Sequence, residues 1–278
     1  MFEVMKVSLI ISTYNWPEAL GICLESILKQ SRMPDEIIIA DDGSANDTFN
    51  LIQAYKTKFP INLNHVWHLD RGFQLSAIRN KAIIVSDFEY IIQIDGDLIL
   101  HKDFILDHIA LAMPGGFVSG SRILLPEVYS KTILSSLSIP SSLSLILNGE
   151  NKFNGIRWPL LTKVLANKYK RNRPYYVKGC NMAFWKNDLI AVNGYNEEIN
   201  GWGKEDSELA VRLINSGVQR VFIKFGGICY HLYHKVASRE NEENNNSILN
   251  EAIDTGKMYA NKGISCYRKE DIVKLLLR

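Results

Sequence analysis

Short apolar runs alternate with amphipathic stretches through the first hundred residues of the chain. Each run predicts a buried strand, and each is followed by or set among apolar residues at helical spacing. The four runs are residues 7–11, 37–40, 64–68 and 90–94. Repeated strand–helix units predict an α/β fold with a mostly parallel, doubly wound sheet flanked by helices. In such sheets, ligands bind beyond the carboxyl ends of the strands.

Polar side chains follow the predicted strands at the points where they end. They are Tyr14, then Asp41 and Asp42, then Asp70 with Arg71, and finally Asp95 and Asp97. A single acidic residue there is commonly a helix cap, but several together favour a ligand site. The chain has neither a Gly-x-Gly-x-x-Gly segment after the first strand nor a Gly-Lys-Ser/Thr loop, which argues against a dinucleotide enzyme or a P-loop NTPase.

The apolar run at residues 90–94 ends abruptly in Asp95, Gly96 and Asp97. In an extended chain, residues two apart project to the same side, with roughly 6–7 Å between their Cα atoms. One carboxylate can then hold a divalent cation while the other reaches a group that the cation also holds. Gly96 permits close approach of a ligand to the backbone. The alternative is an Asp-Gly hairpin turn between strands at 91–94 and 98–100.

Composition limits the class of protein. The chain has 278 residues, a net charge of +2 and 46% hydrophobic residues, which suits one large domain or one domain with an insertion. The near-neutral charge indicates no nucleic-acid partner. The four cysteines lack metal-ligand spacing, as is typical of reduced thiols in a cytoplasmic protein. No apolar run reaches transmembrane length and no signal peptide is visible, so we expect a cytoplasmic protein, either soluble or peripheral at the inner face of the cell membrane.

The pattern changes between residues 126 and 172, which are rich first in serine and leucine and then in basic residues. The cations are Lys152, Arg157, Lys163, Lys168, Lys170, Arg171 and Arg173. One interpretation is a functional insertion, either an acceptor platform or a peripheral membrane contact through residues 152–173. The other is a solvated helical hairpin, which we favour over membrane contact but not over an acceptor platform. The expected parts are a nucleotide-sugar half (1–122), an insertion (123–174), an acceptor half (175–240) and a helical tail (241–278). Strands are predicted at 117–122 and 175–180, and a polar loop at 241–246.

Two segments of the second half carry further chemistry. Trp202 lies between two glycines, and Glu205 and Asp206 follow directly before a predicted helix. Acidic residues are also favoured at a helix start by the macrodipole, but an indole between glycines can form a wall for the apolar face of a sugar. His231 and His234 follow a predicted strand at 220–225. Neutral imidazole is a good ligand for Mn²⁺, so these histidines are candidate metal ligands.

Four segments of the first 120 residues together resemble the nucleotide-sugar half of glycosyltransferase family 2, the inverting GT-A fold. They are 12–15 (Ser-Thr-Tyr-Asn), 41–44 (Asp-Asp-Gly-Ser), 77–80 (Ala-Ile-Arg-Asn) and 95–97 (Asp-Gly-Asp). Residues 202–206 resemble the Trp-Gly-Gly-Glu-Asp segment of the galactosyltransferase C-terminal region, which is found in β1,4-galactosyltransferases and bacterial chondroitin polymerases. Lys204 replaces the second glycine of that segment.

The resemblance implies a UDP-sugar donor, a saccharide or lipid-linked saccharide acceptor, and Mn²⁺ or Mg²⁺ as cofactor. The implied nucleotide-sugar-binding residues are Ser12, Tyr14, Asp41, Asp42, Asp70, Arg79, Asp95 and Gly96. Within this set, Tyr14 and Asp42 would hold the base and Asp95 the ribose side. The implied metal ligands are Asp97 and His231, with His234 as the second choice, and the implied acceptor residues are Asn181, Trp202 and Gly203.

Catalysis would then rest on Asp206 as general base, with Glu205 orienting hydroxyl groups, in the assembly of a bacterial surface polysaccharide or lipopolysaccharide. Three other classes of protein fit these residues less well. A glycoside hydrolase also uses paired carboxylates but needs no nucleotide pocket or cation. A nucleotidyltransferase typically has a glycine- and lysine-rich phosphate loop, and a non-catalytic sugar-binding domain has little use for Asp206 beside Trp202.

Overall fold

The computed structural model describes residues 5–166, 168–235 and 238–276. Its strands are β1 (Val7–Thr13), β2 (Glu36–Asp41), β3 (Asn62–Trp67), β4 (Tyr90–Asp95), β5 (Leu98–Leu100), β6 (Gly116–Ser119), β7 (Ile123–Leu124), β8 (Asn181–Trp185), β9 (Gln219–Phe222) and β10 (Cys229–His231). Its α-helices are α1 (Pro17–Leu28), α2 (Asn46–Lys56), α3 (Leu75–Val85), α4 (Phe104–Ile109), α5 (Glu127–Ser136), α6 (Ser142–Asn148), α7 (Pro159–Leu165), α8 (Lys186–Ala191), α9 (Glu205–Asn215), α10 (Glu242–Asp254) and α11 (Lys269–Leu276).

Seven strands form the central sheet, in the order β3-β2-β1-β4-β8-β6-β9. The first four of these are parallel to one another, and so are β6 and β9. Only β8 among them runs antiparallel to its neighbours, β4 and β6. The prediction of a mostly parallel α/β sheet is therefore confirmed. A second sheet of three short strands has the order β5-β10-β7.

The buried core lies on both faces of the central sheet. Leu9 and Ile11 of β1 belong to one apolar cluster, whereas Ile10, between them, belongs to another. Successive side chains of a strand point to opposite faces, and α1 packs on the first cluster and α3 on the second. Coverage on both faces explains why these strands are continuous apolar runs. It also leaves the carboxyl ends of β1, β2 and β4 as an open edge.

The Asp-Gly-Asp segment does not form a hairpin, so that alternative is wrong. β4 and β5 belong to different sheets, and β5 pairs antiparallel with β10. The Gly96 N–H donates to the Ser12 carbonyl (2.8 Å), and a Cβ on Gly96 would lie 3.1 Å from that oxygen. The β5–β10 register places Leu98 opposite His231, and Leu232 N–H donates to the Asp97 carbonyl (3.0 Å). Strand pairing therefore brings Asp97 to the predicted histidines.

Several predicted boundaries were wrong. The aromatic-rich stretch at 175–180 is not a strand, because the chain turns there and Asn181 N–H donates to the Lys178 carbonyl. The strand β8 begins at Asn181 instead. The asparagine-rich stretch 241–246, expected as a polar loop, largely forms the start of α10. There the buried Asn245 amide donates to the carbonyls of Asn200 and Gly203, which offsets its burial.

The insertion after β7 folds as three short helices, α5, α6 and α7, and a 3₁₀ turn at Lys152–Gly155, rather than as a helical hairpin. Arg157 anchors it to the rest of the fold. Its guanidinium donates to both carboxylate oxygens of Asp107 and lies 3.3 Å from an Asp103 oxygen. Among the helices of the described residues, none is long and apolar enough to cross a membrane.

Candidate active site

A cavity of about 1140 Å³ opens at the carboxyl ends of β1, β2 and β4. The start of α9 and the segment before β8 close its other side. The predicted residues that line it are Ser12, Tyr14, Asp42, Arg79, Asp95, Gly96, Asp97, Trp202, Gly203, Glu205, Asp206, His231 and His234. Residues far apart in sequence therefore meet in one cavity.

Three predicted site residues do not line this cavity. Asp41 is buried below it, where its carboxylate accepts from Ser44 N–H (2.8 Å) and contacts His65 (2.8 Å). The fully buried Asn181 amide donates to two backbone carbonyls, at 2.8 Å each, and so braces the backbone behind the cavity. Asp70 is exposed and accepts a hydrogen bond from the Tyr14 hydroxyl (2.9 Å). Asp70 therefore reaches the cavity only through Tyr14.

The Asp42 carboxylate is held firmly at the end of β2. One oxygen lies 2.7 Å from the His68 ring nitrogen, and the other accepts from Gln74 N–H (2.9 Å). Each carboxylate oxygen has a second lone pair, so the group can still accept a hydrogen bond from a ligand N–H. Tyr14 lines the cavity and is half exposed, so its ring is accessible to a ligand. Together they can hold a planar base that carries an N–H donor.

Arg79 links the two halves of the site. Its side chain is almost fully buried, and it donates to the Ser12 hydroxyl (3.1 Å), to Asp95 (2.9 Å) and to Asp206 (2.9 Å). A buried guanidinium must be paired to offset its desolvation, and these partners provide that pairing. Arg79 therefore fixes the carboxylates of Asp95 and Asp206 relative to each other across the cavity.

Asp206 is also positioned by the segment before β8. A Cβ on Gly179 would lie 1.9 Å from an Asp206 oxygen, so any larger residue there would displace the Asp206 carboxylate. Gln93 accepts from the Tyr195 hydroxyl and donates to the Gly179 carbonyl, at 2.9 Å each, and so supports both neighbours of Asp206. Burial raises the pKa of Asp206, and the Arg79 charge opposes that increase only in part. A carboxylate with a raised pKa is a stronger base.

Glu205 has one carboxylate oxygen that is not used in hydrogen bonding within the described part of the protein. Its Oε2 atom is buried and has no hydrogen-bond partner among the described residues. Burial, and next the charge of Asp206, raise the pKa of Glu205 to about 8. An unsatisfied buried oxygen is costly, so this atom is suited to accept a hydrogen bond from a substrate hydroxyl.

The raised pKa predicts a pH-dependent effect of the change Glu205→Gln on the stability of the ligand-free protein. A glutamate in the unfolded chain has a pKa near ~4.3. Protonation of Glu205 therefore stabilises the folded wild type fully below the unfolded-state pKa. This stabilisation is lost as the pH rises through the folded-state pKa of about 8. Glutamine does not ionise, so we expect its melting temperature relative to the wild type to increase between pH 5 and pH 9. Thermal unfolding at constant ionic strength measures this difference.

The matched control is Glu243→Gln, an exposed position on α10 outside the cavity. A difference between Glu205→Gln and the wild type that stays constant with pH would contradict the raised pKa.

Asp97, His231 and His234 form a cluster whose candidate ligand atoms all lie within 4.8 Å of one another. Each histidine Nε2 lies 3.4 Å from the same Asp97 oxygen. The other Asp97 oxygen is buried without a hydrogen-bond partner among the described residues. Burial, and next the Arg122 charge, lower the pKa of His231 to about 3, which keeps its imidazole neutral and able to ligate. One carboxylate and neutral imidazoles suit a divalent cation such as Mn²⁺.

Arg122 was missed by the sequence analysis. It lies between β6 and β7, lines the cavity and donates to the Cys180 thiol (3.2 Å). None of the described carboxylates forms an ion pair with it, although its charge opposes the rise in the pKa of Asp97. A guanidinium without a carboxylate partner beside candidate metal ligands is suited to bind phosphate oxygens. No motif marked this arginine, because it fell inside a predicted strand.

The Trp202 loop is fixed in a conformation that requires its glycines. Gly201, Gly203 and Lys204 all have positive φ angles, of 71°, 102° and 79°. Lys204 therefore adopts a backbone conformation that favours the glycine of the motif it resembles. The Arg239 guanidinium lies 5.2 Å from the Trp202 ring, and the Asn245 amide donates to the Gly203 carbonyl (3.1 Å). The indole is thereby held at the cavity, opposite the carboxyl ends of the strands.

The chain matches the models of two protein families. The model of "Glycosyl transferase family 2" matches residues 8–186, and that of "N-terminal domain of galactosyltransferase" matches residues 161–235. The first match covers more than half of the chain, and the chain therefore belongs to glycosyl transferase family 2. The second contains both the Trp202 loop and the two candidate histidines.

Individual relatives and solved structures that resemble this chain are glycosyltransferases or polysaccharide synthases as well, or share their fold. The chain is 25% identical to the chondroitin synthase of Escherichia coli over 249 residues, which is 85% of this chain but only 36% of that synthase. Staphylococcus aureus TarS, solved with UDP-GlcNAc, has a TM-score of 0.60 at 16% identity, covering 98% of this chain and 72% of that one. A mannosyltransferase from Pyrobaculum calidifontis, solved with GDP-Man and Mn²⁺, has a TM-score of 0.58 at 19% identity, covering 84% and 59%. The fold is that of the GT-A glycosyltransferases.

Proposed function

We propose that this chain is an inverting, metal-assisted glycosyltransferase that moves a hexose or N-acetylhexosamine from a UDP-sugar to a hydroxyl of a saccharide acceptor. One observation carries the proposal. The carboxylates Glu205 and Asp206 share a single cavity with the Asp97–His231–His234 cluster and with the base-binding candidates Tyr14 and Asp42. Membership of a glycosyltransferase family argues against the hydrolase, nucleotidyltransferase and non-catalytic alternatives.

Asp206 is the proposed general base. Transfer with inversion is a single displacement, in which the acceptor hydroxyl attacks the anomeric carbon and loses its proton to a positioned base. Arg79 and the neighbouring Gly179 fix the Asp206 carboxylate at the cavity wall. Glu205, beside it, has an oxygen without a hydrogen-bond partner in the described residues, with which to orient sugar hydroxyls. An α-linked donor sugar then gives a β-linked product.

The departing diphosphate is bound at the other side of the cavity. Asp97, His231 and His234 would hold a divalent cation, which when bound supplies Lewis acidity that neutralises the charge of the leaving group. Arg122, beside this cluster, donates hydrogen bonds to phosphate oxygens in a way that a planar guanidinium favours. Asp95, paired with Arg79, is left to accept from the ribose hydroxyls.

The base is the least constrained part of the donor, because the two solved neighbours carry different nucleotides, UDP-GlcNAc and GDP-Man. Asp42 can accept from the single imide N–H of uracil, while Tyr14 offers an accessible ring. We therefore assign a UDP-sugar to this site. The acceptor is proposed to be a saccharide, free or lipid-linked, of a bacterial surface polysaccharide made in the cytoplasm.

We expect UDP with Mn²⁺ to raise the melting temperature more than GDP or CMP does with the same ion. A ligand that binds only the folded state stabilises by RT ln(1 + [L]/Kd), so at equal concentration the larger shift reports the tighter ligand. The measurement is thermal unfolding with each nucleotide, followed by a screen of UDP-sugars for hydrolysis and transfer. Asp42→Ala should reduce the UDP shift, whereas Asp41→Asn, outside the cavity, should retain the preference. Equal or greater stabilisation by GDP would refute the UDP assignment.

A further inference from the structure

The insertion between β7 and β8 exposes apolar side chains that a soluble helical segment usually buries. On α7, Leu160 and Val164 are 76% and 60% exposed, while Thr162 on the opposite face is buried. On α6, Leu143 and Leu147 are 65% and 58% exposed, and Leu145 between them is buried. Residues four apart lie on the same face of a helix. Each short helix therefore directs an apolar pair into solvent.

Two aromatic residues that lie between these helices in the sequence are exposed as well. Phe153, on the 3₁₀ turn, is 78% exposed, and Trp158, directly before α7, is 56% exposed. These six large apolar side chains, exposed within one segment of 22 residues (143–164), mark an interaction site more often than a free surface. Their exposure does not fit the interpretation of the segment as a solvated hairpin.

The same segment is strongly basic. Residues 151–178 contain eight lysines and arginines and no aspartate or glutamate. Arg157 is used to anchor the segment to α4, through Asp107. By contrast Lys163, Arg171 and Arg173 are exposed, and none of them pairs with a carboxylate in the described residues. Lys163 shares the outward face of α7, being three residues from Leu160.

We propose that the exposed side chains of α6, the 3₁₀ turn, α7 and residues 168–173, here called the basic-apolar face, bind the surface of an anionic lipid bilayer. Lysine and arginine are attracted to anionic headgroups, while leucine and tryptophan side chains insert at the acyl boundary. A soluble polyanion would use the cations but not Leu160 and Val164. A second copy of the chain would bring like charges together across a two-fold interface.

The face lies next to the cavity. Glu150, just before its 3₁₀ turn, and Lys178, just after its basic stretch, both line the cavity. Docking on a bilayer would therefore hold the cavity close to the lipid surface, within reach of a lipid-linked acceptor. That consequence rests on the proposed function, whereas membrane binding itself does not.

The test is co-sedimentation of the full chain with vesicles of phosphatidylcholine alone or of phosphatidylcholine with phosphatidylglycerol, without nucleotide or metal. We expect binding to the anionic vesicles only, weakened by added salt. L160S/V164S and R171E/R173E should each lower the partition coefficient about tenfold or more. Their melting temperatures should stay near that of the wild type, because all four side chains are exposed. K29E/K262E makes the same charge change at exposed positions outside the face and should bind normally.

Three results would overturn the proposal. One is the absence of binding to anionic vesicles. Another is binding that R171E/R173E abolishes but L160S/V164S leaves intact, with competition by soluble polyphosphate, which would indicate a polyanion site. The third is a dimer in analytical ultracentrifugation that L160S/V164S dissociates, which would indicate self-association. None of these depends on sugar transfer, so failure of the proposed function is detected separately.

Discussion

Replacement of Asp206 by asparagine should lower turnover by about 10²-fold or more while UDP affinity barely changes. The amide is nearly isosteric and can still accept a hydrogen bond from Arg79, but it cannot take the proton of the acceptor hydroxyl. The UDP-binding candidates Tyr14 and Asp42 follow β1 and β2, and no hydrogen bond of the described residues joins either of them to Asp206. Steady-state kinetics and UDP titration on the same variant measure both quantities.

The pH profile gives a second readout of Asp206. A base acts only when ionised, so turnover of the wild type should rise with pH through the raised pKa of Asp206. The asparagine variant should lose this dependence. Gly179→Ala should lower turnover as well, because the new methyl group displaces the Asp206 carboxylate without changing its charge.

A role of Asp206 in helix capping alone predicts a different result. Asparagine caps nearly as well as aspartate, so stability would fall by at most about 1 kcal/mol and turnover would stay normal. The matched control is Asp47→Asn, since Asp47 is the second residue of α2 as Asp206 is of α9. Turnover of Asp206→Asn equal to that of the control would refute Asp206 as the base.

The parallel half of the sheet could be predicted because each of its strands is marked by its own local sequence pattern. β1, β2 and β4 are buried on both faces, so each is a continuous apolar run that ends in polar residues. The strands of the other half are shorter, and β6 and β9 have only four residues each. Such short elements depend on their neighbours for pairing, and the aromatic stretch 175–180 had strand propensity without a strand partner.

Residues that line the cavity were easiest to recognise in the sequence at or directly after a strand end, as with Asp42, Asp95 and Asp97. The contacts of Arg79 with Asp206 span 127 residues and had no local signal. Arg122 also had no local signal in the sequence, because only the folding of the chain brings it to the cavity. The buried Asn181 shows the opposite case. The family resemblance implied acceptor binding, whereas its amide donates to two backbone carbonyls.

Removal of the divalent cation should abolish transfer, and loss of Asp97 should do the same. The Lewis-acid contribution of a metal is several kcal/mol, so Asp97→Ala should lower turnover about 10³-fold or more. EDTA should stop the wild-type reaction, and Mn²⁺ in excess should restore it. His101→Gln serves as the control for a histidine outside the cavity and should retain both activity and Mn²⁺ binding. Full activity in chelator would contradict the metal site.

The two histidines of the cluster should differ in their importance. Both Nε2 atoms lie 3.4 Å from Asp97, but His231 is buried on β10 whereas the His234 side chain is 43% exposed. A ligand fixed by a strand loses less conformational entropy on binding, so His231→Ala should weaken Mn²⁺ binding in the presence of UDP more than His234→Ala does. Electron paramagnetic resonance of free Mn²⁺ measures this without any turnover. Equal losses would mean that both imidazoles ligate, and a larger loss for His234→Ala would exclude His231 as the principal histidine ligand.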